Sequence, residues 1–152
     1  MTITYLGNQS LHSMPKTAFL ASSIIPVEMV LRCYDWAIEM RKQEHCVISG
    51  FSSRLEQDVW KFLVKGQQPI ILVLARSMYR HVPPELQPLL NEGRLLIIST
   101  SSSSRQSKAT AFARNRYICD IADDILFIGA SGSSSLAPLQ EEYAEKMIKL
   151  TE

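Results

Sequence analysis

Short apolar runs, several of them apolar at nearly every position and most separated by stretches of helical periodicity, decide the architecture of this chain. Ile70-Ile71-Leu72-Val73-Leu74 is the clearest. A strand with one wet face alternates apolar and polar side chains, so a run without alternation must be covered on both faces, as in a parallel sheet between helical layers. Ile3 to Leu6, Thr17 to Ala21, Cys46 to Ser49, Pro69 to Ala75, Arg94 to Ser99 and Ile125 to Ile128 read as strands. Val27 to Gln43 places Val30, Leu31, Tyr34, Ile38 and Arg41 at helical spacing, with Pro26 suited to the first turn. Leu55, Val59, Phe62 and Leu63 mark a second helix, and Pro83-Pro84 opens a short third that ends near Glu92-Gly93. Thr110 to Ala122 and Pro138 to Leu150 supply the fourth and fifth. Right-handed crossovers then give an α/β, Rossmann-like doubly wound, mostly parallel sheet with helices on both faces. Its binding crevice is expected at the carboxyl ends of the strands. The 152 residues, 46% hydrophobic and 20% charged, fit one domain spanning 1–152.

Charge and cysteine content narrow the function classes. Sixteen Lys and Arg stand against 15 Asp and Glu, so no global positive field gathers nucleic acid, and any anion site must be built from a few aimed groups. Cys33, Cys46 and Cys119 are odd in number, widely spaced and flanked by apolar residues. That is the pattern of buried free thiols, not of a zinc site or disulfide framework. No apolar window approaches a membrane span and no basic segment precedes an apolar run at the start, so a cytoplasmic protein without membrane contact is expected.

Arg114-Asn115-Arg116 is the strongest site signal. If Thr110 to Ala122 is helical, Ala111, Ile118, Ile121 and Ala122 share an apolar face, and Arg114 and Asn115 fall inside it. A guanidinium on a core-facing stripe needs carbonyls, a carboxylate or an anionic ligand, because leaving it unpaired costs several kcal/mol. Four strand ends carry the small or polar residues that a ligand crevice requires: Ala21-Ser22-Ser23, Ser49 to Arg54, Ala75-Arg76-Ser77 and Gly129 to Ser135. Free N–H groups at the helix starts that follow favour an anion. The candidate phosphate-binding set is therefore Ser22, Ser49, Gly50, Ser52, Arg54, Arg76, Arg114, Asn115, Arg116, Ser131, Gly132 and Ser133. Ser99 to Ser107 is serine-rich and reads as a mobile loop entering the Arg114 helix, with Arg76, Arg105 and Lys108 forming either a phosphate-tracking edge or a solvated rim.

Catalytic chemistry finds little support. His12, His45 and His81 follow no triad or metal spacing, and Asp120, Asp123 and Asp124 read as a helix end pairing with arginine. No Gly-rich nucleotide triphosphate loop and no dinucleotide fingerprint is present. Trp36 and Trp60 sit at helix positions that suit packing better than base stacking. No catalytic residue, cofactor or metal is expected.

The same segments, in this order, resemble the DNA-processing protein A family, also called the Smf family, within the Rossmann-like SLOG group. The leading Ile3-Thr4-Tyr5-Leu6-Gly7-Asn8 resembles a short strand ending in Gly-Asn, and Val47-Ile48-Ser49-Gly50-Phe51-Ser52 a Val-Ser-Gly-x-Ala turn. Arg114-Asn115-Arg116-Tyr117-Ile118 resembles Arg-Asn-Arg-x-Ile, and Ser131-Gly132-Ser133 with Leu136 a Ser-Gly-Ser-Leu loop. Lys16 to Ser23 is similar to a strand ending in Val-Gly-Ser-Arg, but Ser23 stands where that family has a phosphate-binding arginine. Arg54-Leu55-Glu56 replaces Gly-Ile-Asp, Trp60 a histidine, and Thr100 and Gly129 two glutamates. The chain also stops after its last expected helix, without the further strand usual there and without a flanking helical domain, so it reads as a divergent, minimal member.

The resemblance implies single-stranded DNA binding at the crevice, self-association into a homodimer and a recombinase partner during DNA uptake. A related branch cleaves nucleoside monophosphates with a Pro-Gly-Gly-x-Gly-Thr loop that this chain lacks. Three readings stay open. In the first, the crevice binds single-stranded DNA or a similar phosphorylated ligand, with Arg114 and Arg116 as charge partners. In the second, favoured by near-neutral charge and by Ser23, it holds one nucleotide. In the third, Arg114 and Asn115 only brace the loops of a degenerate scaffold.

Overall fold

A seven-stranded sheet in the order β1-β5-β4-β3-β2-β6-β7 runs through the computed structural model, which describes residues 2–150. The strands are β1 (Thr4–Gly7), β2 (Lys16–Ala21), β3 (Cys46–Ser49), β4 (Ile70–Leu74), β5 (Leu95–Ser99), β6 (Asp124–Ile128) and β7 (Met147–Ile148). All pair in parallel except β1, which lies antiparallel on β5. Every residue of β2, β3, β4 and β5 is buried, as the unbroken apolar runs require.

Helices cover both faces. On one, α1 (Val27–Lys42), α2 (Arg54–Leu63) and α3 (Gln87–Asn91) bury Cys33, Ala37, Leu55, Val59, Leu63 and Leu89 against Phe19, Val47, Ile70, Leu72 and Ile97. On the other, α4 (Lys108–Ile121) and α5 (Ala137–Glu142) bury Ile118, Cys119 and Leu139 against Ala18, Leu20, Ile48, Ile71 and Ile125. Adjacent strand residues such as Phe19 and Leu20 thus enter opposite cores, as the two-residue period of a strand dictates.

The turn after β1 shows why the sequence reads Gly7-Asn8. Gly7 has a left-handed φ of +108°, and a Cβ there would run into the Leu95 carbonyl. Asn8 then donates from its backbone to the Leu95 carbonyl and from Nδ2 to the Gly93 carbonyl, which fixes the antiparallel edge.

Several expectations are corrected. The short third helix lies where expected, but it begins as a 3-10 turn at Pro84–Leu86 and only Gln87–Asn91 is α-helical. The fifth ends at Glu142, far short of Leu150, and a 3-10 turn at Ala144–Lys146 leads into β7, so a short strand does follow the last helix. The aspartates do not meet arginine. Asp123 accepts from the Lys16 backbone at 2.8 Å, Asp124 from the Thr17 hydroxyl and Asp120 from the Tyr143 hydroxyl.

The connections set the crevice. After β2 the chain turns into α1 on one face, and after the neighbouring β6 it turns into α5 on the other. Adjacent strands whose connections diverge leave a cleft between their carboxyl ends, the topological switch point.

Candidate crevice around Arg114

Arg114 stands on the first half of α4, whose start is fixed by a capping box. The Ser107 side chain accepts from the Thr110 backbone, and the Thr110 side chain accepts from the Ser107 backbone. The helical period turns Arg114 and Ile118 to the sheet, and Arg114 is only 3% exposed. Its Nε donates to Asn115 Oδ1 at 2.8 Å and its Nη1 to the Val73 carbonyl at 3.3 Å. Burial lowers its pKa from the ordinary arginine value, and the Glu56 carboxylate works in the opposite direction. The guanidinium occupies the space that a Cβ on residue 50 would need, so Gly50 is the residue that lets it reach the ends of the strands.

Glu56 organises the facing turn. It is 3% exposed, and its Oε1 accepts from the backbones of Ser52 at 2.8 Å and Ser53 at 3.2 Å. Its Oε2 accepts from Ala21 at 3.0 Å, tying the end of β2 to the start of α2. Three N–H groups on one carboxylate both satisfy a buried charge and hold two strand ends at fixed spacing. Sequence reasoning missed this residue as a site organiser, although Ser53-x-x-Glu56 carries the capping-box signature.

The serine-rich loop is tied down at several points. The Ser77 backbone donates to the Ser103 carbonyl, the Ser99 hydroxyl to the Arg76 carbonyl, and Gln106 Nε2 to Ser52 Oγ at 3.1 Å. Thr100 donates its hydroxyl to the Leu74 carbonyl at 2.9 Å.

Two clefts meet at Arg114. The larger, about 780 Å³, is the switch-point crevice, and Ser22, Ser52, Arg114, Asn115, Ser131 and Ser133 line it. The smaller, about 460 Å³, lies beyond the ends of β3 and β4 and includes Gly50, Arg76, Phe51 and Trp60. Ser52, Gln106 and Arg114 border both. Other candidates lie elsewhere. Ser49 is fully buried and accepts from the Phe51 backbone at 3.1 Å, so it shapes the turn from inside. Arg54 is exposed on the first turn of α2 and lines neither cleft. Arg116, two positions from Arg114, faces outward and pairs with Glu142 at 2.6 Å. Gly132 takes a left-handed φ of +61° in a turn and lines neither cleft.

His45, Asp123 and Asp124, considered for catalysis, lie away from the clefts. His45 hydrogen-bonds Thr17 at 2.7 Å just before β3, and Asp123 and Asp124 lie just before or at the start of β6, at the amino ends of the strands. The clefts open at the other edge. Among the described residues, no three His, Cys, Asp or Glu side chains group as a metal site.

A doubly wound, mostly parallel sheet with helices on both faces and a crevice at its switch point is a Rossmann-like domain. The chain belongs to the DNA recombination-mediator protein A family, whose model matches residues 1–147. No curated protein sequence matches it. The fold is similar to DNA processing protein A from Helicobacter pylori, described for its single-stranded DNA binding mode, at 20% identity and a TM-score of 0.72. The alignment covers 99% of this chain and 72% of that one. It is also similar to DNA processing protein A from Streptococcus pneumoniae, at 18% identity and a TM-score of 0.76, covering 97% of this chain but only 54% of that one. The present chain therefore spans about half the length of the pneumococcal protein. A molybdenum cofactor binding protein from Rippkaea orientalis shares the fold more distantly, at 11% identity and a TM-score of 0.59, with 90% of this chain and 76% of that one covered.

Proposed function

We propose that this chain is a non-catalytic, cytoplasmic binding protein of one domain that takes single-stranded DNA or a related phosphorylated ligand at the switch-point crevice. The observation that carries this is the buried Arg114 guanidinium at the junction of two clefts, where among the described residues only its Nε and Nη1 donate hydrogen bonds. The hydroxyls of Ser22, Ser52, Ser131 and Ser133 line the same crevice and supply neutral donors for an anion. Family membership and the single-stranded DNA binding of the Helicobacter pylori relative support the polymer as ligand. The homodimer and the recombinase partner belong to the same proposal.

One observation favours a single nucleotide instead. Among the described residues Arg114 is the only cation lining the larger crevice, whereas a polymer site neutralises several phosphates. Fluorescence anisotropy of a labelled oligothymidylate at two salt concentrations separates the readings. A polymer site weakens steeply with salt, because affinity falls as counterions are released at each phosphate contacted. A shallow dependence, with nucleotides competing, selects the single-nucleotide site. No binding at low salt removes the DNA reading for this chain.

A further inference from the structure

The smaller cleft has walls unlike those of the switch-point crevice. Leu72 and Leu74 from the sheet contribute to its lining, together with Phe51, Trp60 and Tyr79. Phe51 and Trp60 meet edge to face, with ring centroids 5.0 Å apart, and the Arg76 guanidinium lies 5.5 Å from the Tyr79 ring centre. Phe51 holds a left-handed φ of 47°, a conformation that residues other than glycine adopt only under strain. That strain sits at the strand-end turn, in a residue of the cleft wall. Glu85 and Gln57 add polar groups.

A pocket with aromatic walls, the Lys61, Arg76 and Arg114 cations and a few polar groups fits a planar heteroaromatic ring that carries an anionic group better than an aliphatic or purely ionic ligand. Its position defines the ring further. Ser52, Gln106 and Arg114 border this cleft and the phosphate crevice alike, so a ligand with a ring in one and a phosphate at the other bridges Arg114. We propose that the cleft between Trp60 and Tyr79 is a nucleobase pocket, which takes one base of a ligand whose phosphate lies at the Ser52-Gln106-Arg114 junction. This rests on the reading of the crevice as a nucleic-acid or nucleotide site. It assigns to Trp60 a ligand contact in addition to the packing role expected from its helix position.

Trp60 is also the reporter. The chain has two tryptophans, and Trp36 is stacked on Phe19 with centroids 5.2 Å apart, so Trp36→Phe leaves Trp60 as the single emitter. In that background, deoxyadenosine monophosphate is expected to quench Trp60 saturably and deoxyribose 5-phosphate to leave it unchanged. Tyr79→Ala should weaken the nucleotide about tenfold, the order expected for one lost base-stacking contact, while Tyr79→Phe retains it. Circular dichroism confirms that both variants are folded. No Trp60 response to the nucleotide, an unchanged affinity in folded Tyr79→Ala, or equal quenching by N-acetyltyrosinamide overturns the pocket. Oligothymidylate anisotropy on the same proteins separates the two claims. Tight oligonucleotide binding with no Trp60 response leaves the crevice reading standing and removes the base pocket. Nucleotide quenching without oligonucleotide binding keeps the pocket and removes the polymer.

Discussion

At the scale of single residues, the close approach of Gly50 and Arg114 makes each the condition for the other. Gly50→Ala places a methyl group where the guanidinium lies. Displacing a buried, hydrogen-bonded arginine by one methyl is an overpacking change, expected to cost about 1 to 3 kcal/mol. Arg114→Ala costs a similar amount for a different reason, because it leaves Asn115 Oδ1 and the Val73 carbonyl without their donor. The double variant should then be less destabilised than the sum, since the three atoms nearest the added methyl all belong to the guanidinium that the second change removes. Urea midpoints for the four proteins measure this, and strict additivity would show that the two residues do not share the space. Glu56→Gln is the complementary test on the facing turn. An amide keeps one acceptor oxygen for three N–H groups, so a loss of about 1 to 3 kcal/mol is expected. A midpoint unchanged in Glu56→Gln would show that the carboxylate does not hold β2 to α2. Arg114 could be singled out from sequence because a charged residue on an apolar helical stripe breaks the period. Glu56 could not be ranked as easily. A capping box is expected at many helix starts, and only the fold brings the Ala21 N–H to its second oxygen.

At the scale of elements, the strands and the long helices follow from their periods, and the misreadings fall where a period is too short to see. Between Pro138 and Leu150 the apolar residues keep a helix-like spacing, yet the chain leaves the helix after Glu142. Lys146 explains the turn. Its Nζ donates to the carbonyls of Cys119 at 2.8 Å and Asp120 at 3.0 Å, the last turn of α4, where a cation is favoured by the helix dipole. That anchor brings Met147 and Ile148 alongside β6 as a two-residue strand, a length with no sequence signature. The start of α4 offers a direct check on how the crevice is positioned. Ser107→Ala removes the cap that fixes the first turn before Arg114, and should cost about 1 kcal/mol. Ser104→Ala, in an exposed part of the same loop, should stay within about 0.5 kcal/mol of the parent. Equal losses for both would place the effect in the loop as a whole and not in the cap.

At the scale of the whole molecule, the three thiols report on both cores at once. Cys33 lies on the buried face of α1, Cys46 opens β3 and Cys119 lies on the sheet side of α4, and all three are buried and free. Burial pushes each thiol from its ordinary value of 9.0 up to about 12. A folded pKa above the unfolded one means that the native state keeps protons that the unfolded chain releases. Stability from these groups is therefore intact below pH 9.0 and is lost as the pH rises towards about 12. The expected slope is about 1.4 kcal/mol per pH unit for each thiol that stays protonated only in the folded protein. Tyrosines and lysines also titrate in that window, so the comparison is between the parent and Cys119→Ala, whose alkaline loss should be shallower by one such contribution. A parallel slope would mean that Cys119 ionises alike in both states. The same burial predicts that a thiol reagent at pH 8 reacts slowly with the native protein and quickly with three thiols in urea, because the thiolate is the reacting form. Reaction of one thiol at the rate of the unfolded chain would point to local opening of the element that carries it. Cys119 is the informative case, since its helix also holds Arg114, and opening there would disturb the crevice itself.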